Sequence, residues 1–261
     1  MNLSDENIVI TKNLAQNIRI KSLQMVNGAK SSHIGSCLSV ADLIAVLQSI
    51  VQINDGILIF SKGHAAAALY ASLYNYGKIS EGELLTYGAD GSNLIGHVNH
   101  SVDGINFSTG SLGHGLPLGV GVAIASKHKQ VYVVMSDGEL NEGTTWESLA
   151  IASQLELENL TLIIDLNGIQ SFGTTNEILD LEPLADKFLS FKWICLQVDG
   201  HSISDIYEAV TTSPQHKPKV IIARTIKGKG ISEMEGKLEW HYKSPTDQQL
   251  NSFIEEIKNN A

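Results

Sequence analysis

The sequence has few of the residues that mark specialised protein classes. Only 2 cysteines and 5 prolines occur among its 261 residues, and aromatic residues make up 6% of it. Cys37 and Cys195 do not have the spacing of a metal-ligand motif, and they suit a reduced cytoplasmic compartment with both thiols packed in the core. No apolar run approaches the roughly 18 residues that a membrane span needs. The N-terminal residues MNLSDENIVI also lack the basic and apolar regions of a signal peptide.

Basic residues are also scarce. The 18 lysines and arginines are outnumbered by 28 aspartates and glutamates, which gives a net charge of −10. This balance argues against binding to nucleic acid or to an anionic membrane. A phosphorylated ligand would therefore have to be held locally, by a cation, backbone N–H groups and histidine. The 43% of hydrophobic residues is ordinary for a globular domain and is enough to bury a real core.

Five or six buried-strand patterns alternate with helical patterns along the chain. This alternation predicts one domain over residues 1–261 with an α/β fold, in which helices cover both faces of a doubly wound, mostly parallel sheet. Residues 11–27 predict the first helix, with Gly28 ending it as the glycine that commonly follows a helix. Residues 39–50 predict the second helix.

The stretch from Val131 to Gln170 carries the strongest local signal. Two apolar strand patterns are separated by a helical one, and Asp137 and Asn167 each follow the end of a strand. Ligands of parallel sheets lie beyond the carboxyl ends of the strands, so we expect these two side chains to converge. Their oxygen atoms suit Mg²⁺ or Ca²⁺ and do not suit zinc. The alternative is purely structural, with Asp137 capping a helix and Asn167 forming a turn.

Several histidines lie in turns where a structural role and a functional role are both possible. His33 follows a run of small residues between two helical patterns. His64 starts a helix directly after a strand pattern, a position where free N–H groups and the helix dipole favour anions. His97 lies in the irregular segment 88–113, and a long irregular segment in a compact domain is usually functional or disordered.

Taken together, the motifs resemble the thiamine diphosphate-binding region of the transketolase family. The matching elements occur in the family's order: SSHIG, SKGHAAAALY, GH, TGSLGHG, DGELNEGTTWE with DLNGIQ, and TIKGKG with EWH. The resemblance extends from about Gly28 to His241. Three positions depart from the family pattern, which has glycine where this chain has Ser32, Ser136 and Tyr242.

The resemblance implies a role for each matching residue. Metal binding, to Mg²⁺ or Ca²⁺, falls to Asp137, Asn167 and the carbonyl of Ile169. Thiamine diphosphate binding falls to His64, Gly110, Ser111, Leu112, Gly138, Glu142, Asn167 and His241. Glu142 would also lie at the subunit contact that links paired active sites. Contacts with substrate hydroxyls and acid–base roles fall to His33, His97 and His241.

The resemblance also implies a function that needs a second chain. The family's pyrimidine-binding and C-terminal domains have no counterpart in residues 1–261, so we expect a partner subunit to carry the pyrimidine-binding domain in an α2β2 assembly. The expected reaction is the transfer of a two-carbon ketol unit from a ketose, or its phosphate, to an aldose acceptor. Three alternatives stay open: a transketolase-like enzyme of a specialised biosynthetic pathway, the α subunit of a 2-oxo acid decarboxylating enzyme, and a non-catalytic cofactor-binding paralogue. The second alternative shares the Asp137 and Asn167 pattern but lacks the SKGHA and TGSLG elements in this order.

Overall fold

The chain is built around one five-stranded sheet in a computed structural model that describes residues 4–259. The strand order is β1-β2-β3-β5-β4, and every neighbouring pair is parallel. The strands are β1 (Ile57–Phe60), β2 (Val131–Ser136), β3 (Leu160–Leu166), β4 (Ile194–Asp199) and β5 (Lys219–Arg224). This arrangement confirms the predicted α/β fold with a parallel sheet.

Helices connect the strands and flank the sheet. They are α1 (Asp5–Ala29), α2 (Ile34–Ser39), α3 (Ala41–Asn54), α4 (Ala66–Asn75), α5 (Glu81–Leu84), α6 (Gly115–Ala125), α7 (Gly143–Gln154), α8 (Thr175–Leu179), α9 (Leu184–Ser190), α10 (Ile203–Thr211) and α11 (Asp247–Asn259). Three short 3₁₀ turns occupy Gly63–Ala65, Asp137–Asn141 and Leu238–His241. None of the helices between residues 4 and 259 has the length and apolar character needed to cross a membrane.

The two faces of the sheet carry two separate cores. Along β2, Val131, Val133 and Met135 pack into one core, and Tyr132 and Val134 pack into the other. Successive side chains of a strand point to opposite faces, so an apolar strand supplies both cores at once. Helices α1, α3, α4, α10 and α11 cover one face, and α6, α7 and α9 cover the other.

The parallel register brings the carboxyl ends of four strands to one edge. Phe60 pairs with Val134, Ser136 pairs with Asp165, and Leu166 pairs with Arg224. The residues that follow β1, β2, β3 and β5 are therefore neighbours in space. This edge holds the predicted metal-binding residues.

The bounds of both predicted helices were wrong. Helix α1 begins at Asp5 and not at residue 11. Helix α1 continues through Gly28 to Ala29, and Lys30, at φ 49°, turns the chain instead. The N–H of Lys30 bonds to the carbonyls of Asn27 and Val26, so backbone hydrogen bonds set the helix end without a glycine. The second predicted helix, residues 39–50, corresponds to α3, which begins at Ala41 and continues to Asn54. A separate short helix, α2, lies before it and was not predicted.

Candidate functional site

The loops after β1, β2, β3 and β5 enclose a cavity of about 130 Å³. Most of the residues that line it have polar or charged side chains; the lining residues are Ser36, Lys62, His64, Leu112, Ser136, Asp137, Gly138, Asn167, Ile169, Gln170, Ser171, Lys227 and His241. A larger groove of about 570 Å³ lies between α1 and α5, and none of the predicted site residues lines it. The chemistry therefore points to the smaller cavity.

Asp137 is the acidic group of this cavity, and the residue is 4% exposed. Its Oδ1 accepts a hydrogen bond from the N–H of Gly138 at 2.8 Å, and its Oδ2 accepts one from the N–H of Gly168 at 2.7 Å. Burial, together with the nearby carboxylate of Asp165, raises the pKa of Asp137 to about 6. A buried carboxylate that lacks a cation is disfavoured in its charged form, so a bound cation would relieve this cost.

Asn167 and Ile169 supply the other predicted oxygen donors. Oδ1 of Asn167 accepts a hydrogen bond from the N–H of Ile169 at 3.1 Å, and Nδ2 of Asn167 donates to Ser39 Oγ at 3.4 Å. The carbonyl oxygen of Ile169 accepts a hydrogen bond from Lys227 Nζ at 2.9 Å. Among residues 4–259, no three His, Cys, Asp or Glu side chains form a metal cluster. The candidate donors are one carboxylate, one amide and one carbonyl.

Lys62, for which no role was predicted from the sequence, is the first of two buried lysines at the site. Its side chain is 4% exposed and forms an ion pair with Asp165, which is fully buried. Ser39 Oγ donates to Asp165 at 2.7 Å, and the hydroxyl of Thr225 donates to the other carboxylate oxygen. The only sequence signal was the position of Lys62 beside His64, directly after a strand.

Lys227 is the second buried lysine, and it is 1% exposed. Its Nζ donates to the Ile169 carbonyl and lies 2.8 Å from Nδ1 of His241. Burial, followed by the repulsion of Lys62, lowers the pKa of Lys227 to about 8. The stem of this side chain runs over Gly35, where an added Cβ would lie 3.2 Å from Lys227 Cγ. The sequence analysis identified TIKGKG only as a loop of the family. Its sequence does not show that Lys227 points into the cavity, which became visible only in the fold.

The four candidate histidines form a continuous row. Ring centroids lie 4.8 Å apart between His241 and His33, 4.8 Å apart between His33 and His64, and 4.6 Å apart between His64 and His97. Burial and the neighbouring positive groups lower the pKa of His33 to about 4 and that of His241 to about 3. The pKa of His64 is also lowered, mainly by burial. The half-buried members of the row, His33, His64 and His241, are therefore neutral near pH 7.

Two of the three departures from the family pattern make hydrogen bonds at the site. The hydroxyl of Ser32 lies 2.7 Å from Nδ1 of His33. The N–H and hydroxyl of Ser136 donate to Glu139 Oε2 at 2.8 and 3.2 Å. The third departure, Tyr242, is 56% exposed and places its ring against His241.

Glu139 is a further residue for which no role was predicted. It is fully buried, and burial raises its pKa. Besides Ser136, its carboxylate accepts hydrogen bonds from Ser61 Oγ and from the N–H of Gly113 at 3.2 Å. Glu139 thereby connects the loop after β2 to the loop after β1 and to the TGSLG segment. No local pattern indicates this connection, because Ser61 and Gly113 lie far from Glu139 in the sequence.

The TGSLG segment runs beside the cavity, and only one of its predicted contacts lines it. Leu112 is part of the lining, whereas Gly110 lies against the ring of His97. The segment packs closely against Gly63, where an added Cβ would lie 2.7 Å from the backbone of Thr109. Ser111, His33 and His97 also lie outside the cavity lining, and Glu142 lies beside Gly113.

Comparisons with known proteins agree with this geometry. Residues 10–256 match the family described as transketolase, thiamine diphosphate binding domain. One subunit of the apulose-4-phosphate transketolase of Actinobacillus succinogenes is 39% identical over 247 residues, covering 89% of this chain and 90% of that protein. The protein of the same name in Phocaeicola vulgatus is 38% identical over 256 residues, covering 92% of this chain and 90% of that protein.

Full-length transketolases match over part of their length. Human transketolase is 35% identical over 260 residues, which cover 94% of this chain but 42% of the human protein. The crystal structure of transketolase from Campylobacter jejuni superimposes with a TM-score of 0.88 at 30% identity, covering 97% of this chain and 43% of that one. The chain therefore belongs to the transketolase family and corresponds to its thiamine diphosphate-binding domain.

Proposed function

We propose that this chain is the diphosphate-binding subunit of a two-chain transketolase that uses thiamine diphosphate and Mg²⁺ or Ca²⁺. The observation that supports this proposal most directly is the cavity beyond the strand ends. It brings the predicted oxygen donors Asp137, Asn167 and Ile169 to the same place as two buried lysines. A metal bound to a diphosphate needs both kinds of group, because the cation takes oxygen ligands and the anion needs positive charge.

The donor set fits a hard divalent cation. Asp137 would supply a carboxylate oxygen, Asn167 its amide oxygen and Ile169 its carbonyl, and Mg²⁺ usually completes such a set with phosphate oxygens and water. The raised pKa of Asp137 supports this assignment, since a cation would stabilise its charged form.

The anionic end of the cofactor would be held by local positive charge in an acidic chain. Lys227 and His64 line the cavity, and the backbone of Gly138 borders it. Lys62 also lines it, but its charge is paired with the carboxylate of Asp165. Lys227 contacts uncharged groups, the Ile169 carbonyl and His241, so its charge is the stronger candidate for direct contact. These contacts would be local, which is what a net charge of −10 requires.

The cofactor, when bound, supplies the carbanion chemistry of ketol transfer. The chain's own part is to orient the substrate and to move protons. His33, His97 and His241 lie in one row beside the cavity, and a neutral imidazole can accept a proton at one nitrogen while donating at the other. We assign them to the substrate hydroxyls and to the oxygen that gains charge during transfer.

We further propose that one diphosphate-binding domain spans residues 1–261 and that a second subunit, carrying a pyrimidine-binding domain, completes each site in an α2β2 assembly. The cavity of about 130 Å³ is smaller than the about 300–1,000 Å³ of typical ligand pockets, so a second wall is needed for the rest of the cofactor. Two relatives that match along most of their length are each named as one subunit of a transketolase. We expect the substrates to be sugars or sugar phosphates.

Calorimetry with thiamine diphosphate, with and without Mg²⁺, tests the cofactor assignment. We expect binding that depends on Mg²⁺ and that weakens at least about tenfold in Asp137→Ala and Asn167→Ala, since each loses one metal ligand. His100→Ala is the matched control, because His100 is an exposed loop histidine bonded to Ser108. Equal binding in the presence and absence of Mg²⁺ would contradict the metal assignment.

Co-purification of the partner, followed by a screen of donor ketoses, tests the activity. The screen should include apulose 4-phosphate, because two relatives are named for it. We expect two-carbon transfer to an aldose only when both chains are present. Full activity of this chain alone would refute the partner, and cofactor binding without transfer to any acceptor would favour a non-catalytic paralogue.

A further inference from the structure

We propose that His201 is a positioning residue that acts on the cofactor site through the backbone of Ile226. It holds the loop after β5 in the one placement that directs Lys227 to the Ile169 carbonyl and to His241. This inference rests on the proposed function for its consequence, whereas its geometry stands on contacts within the chain. His201 itself does not line the cavity.

The hydrogen bonds of His201 fix its tautomer. The N–H of Ile226 points to Nε2 at 2.9 Å, and a backbone N–H can only donate, so Nε2 is the unprotonated acceptor. Nδ1 therefore carries the proton and donates it to Asp42 Oδ2 at 2.8 Å. The imidazole connects a carboxylate on one side to a backbone amide on the other.

The carboxylate end of this connection is rigid. Arg19 donates from two nitrogens to the two oxygens of Asp42, at 3.2 and 2.5 Å, and from Nε to the carbonyl of Leu38 at 3.2 Å. The side chains of Arg19 and Asp42 are each 10% exposed, and that of His201 is 14% exposed. A two-point arginine–carboxylate pair with little exposure holds its geometry closely. Helices α1 and α3 thus provide a fixed base for His201.

Hydrogen bonds hold the loop after β5 on both sides of Ile226. Thr225 donates its N–H to Leu166 at 3.1 Å and its hydroxyl to Asp165. Gly228 donates its N–H to the carbonyl of Gly35 at 3.0 Å. Between these anchors, two carbonyls accept backbone hydrogen bonds from within the same loop, Ile226 from Lys229 at 3.1 Å and Lys227 from Gly236 at 2.9 Å. The bond from the Ile226 N–H to His201 is the tether made at this position to a residue outside the loop.

Loss of this tether would affect Lys227, the next residue along the chain. The Nζ of Lys227 makes two contacts below 3 Å inside the cavity, and such contacts depend on backbone placement to within a fraction of an ångström. An unpaired Ile226 N–H would seek water or another acceptor and would shift the loop. We expect thiamine diphosphate to bind about tenfold more weakly as a result, with little change in global stability.

Two substitutions separate the two hydrogen bonds of His201. Glutamine places its terminal oxygen where Nε2 lies, so His201→Gln keeps the acceptor for Ile226 and loses the bond to Asp42. Asparagine places its amide where Nδ1 lies, so His201→Asn keeps the bond to Asp42 and loses the acceptor. Urea denaturation checks that both variants fold.

The decisive comparison is cofactor affinity by calorimetry with Mg²⁺, together with amide hydrogen exchange at Ile226. We expect a small loss of affinity and a largely protected Ile226 amide in His201→Gln, which keeps the acceptor but loses its fixed base, and a larger loss of affinity with faster exchange in His201→Asn. Equal behaviour of the two variants would overturn the inference. So would NMR evidence in the wild-type chain that Nε2 of His201 carries the proton, and this result remains decisive even where a variant does not fold.

These outcomes are separable from failure of the proposed function. If the wild-type chain binds no thiamine diphosphate with Mg²⁺ and its partner present, the proposed function fails. The tautomer of His201 and the exchange rate of the Ile226 amide still decide whether His201 holds the loop.

Discussion

The ion pair of Lys62 and Asp165 is the most deeply buried pair of opposite charges in the part of the chain that the structure describes. Removal of one partner of a buried pair leaves the other charge without compensation. We expect Lys62→Met to lower the free energy of unfolding by about 3 kcal/mol, measured by urea denaturation. Asp165 keeps its bonds from Ser39 and Thr225, so the chain should still fold.

Lys78→Met is the control for this substitution. Lys78 pairs with Asp103 at 3.1 Å, but the two side chains are 44% and 71% exposed, and exposed pairs contribute about 0–1 kcal/mol. The double variant Lys62→Met with Asp165→Asn should recover part of the loss, because the unpaired charge is gone. A Lys62→Met variant as stable as Lys78→Met would show that the buried pair contributes no more to stability than the exposed pair does.

The histidine row predicts a loss of stability on acidification. Burial lowers the pKa of His33 to about 4 and of His241 to about 3, below the ordinary value near 6.5. Their contribution is therefore complete above pH 6.5 and is lost as the pH falls through 6.5 towards these folded-state values. We expect the ligand-free chain to unfold at a lower urea concentration at pH 5 than at pH 7, and His241→Asn to reduce this difference.

Comparing the pH dependence of the wild-type chain with that of His241→Asn separates the effect of the histidine from that of Asp137, which titrates in the same pH range. The pKa of Asp137 is raised to about 6, so its contribution has the opposite sign and is lost as the pH rises from about 4 to 6. His100→Asn serves as the control, because His100 is exposed and lies outside the row. An unchanged pH dependence in His241→Asn would mean that this imidazole is not held neutral by its surroundings.

Single residues also show how far the sequence alone could go. The family pattern predicted that His33, His64, His97 and His241 belong together, and their rings form one row. The same pattern gave no role to Lys62, Lys227 or Glu139. Their importance depends on burial, and a local pattern does not show whether an ionisable side chain points inward.

At the scale of elements, replacing two glycines by alanine should change stability in opposite directions. Gly63 starts the 3₁₀ turn after β1, where a Cβ would lie 2.7 Å from Thr109 and Gly110. Gly28 lies inside α1 with nothing within 4 Å. We expect Gly63→Ala to displace the TGSLG segment, weakening thiamine diphosphate binding and lowering stability by about 1–3 kcal/mol, as overpacking does.

Gly28→Ala should instead raise stability by about 0.5–1 kcal/mol, because alanine is the better helix former and has room at this position. Urea denaturation measures both changes, and calorimetry measures cofactor affinity. If Gly63→Ala bound the cofactor as well as Gly28→Ala does, the close approach of the two loops would not matter to the site.

Elements with strong local patterns were predicted well, and helix ends were not. The alternation of strand and helix patterns predicted a parallel sheet, and the sheet is parallel throughout residues 4–259. The end of α1 was misplaced because Lys30 adopts a left-handed conformation that its side chain does not indicate. Helix α2 was missed for a different reason: it is six residues long, too short to show a helical period, and Val40 between α2 and α3 keeps a right-handed conformation.

At the scale of the whole molecule, one sheet serves two cores. Alternate residues of β2 belong to different faces, so disruption of this strand removes packing from both cores. We expect one cooperative unfolding transition that is the same for both faces. Tryptophan fluorescence can report each face separately, because Trp240 packs on one side, and Trp146 and Trp193 pack on the other.

Trp240→Phe leaves Trp146 and Trp193 as the fluorophores, so its fluorescence reports the face covered by α6, α7 and α9. The double variant Trp146→Phe with Trp193→Phe leaves Trp240, which reports the opposite face. Circular dichroism in each variant corrects for changes in stability. The fluorescence midpoint should coincide with the dichroism midpoint in both cases. A fluorescence transition that precedes the dichroism transition in one variant would show that the two cores unfold separately.

The sequence by itself determined the class of fold and the order of the site motifs, because hydrophobic period and short spacings are local properties of a chain. The tertiary structure decided which charges are buried and what they meet. Lys62 and Asp165 lie 103 positions apart, and His201 and Ile226 lie 25 positions apart. The pKa of a side chain and the direction of a lysine depend on neighbours supplied by distant segments, so only the folded chain could decide them.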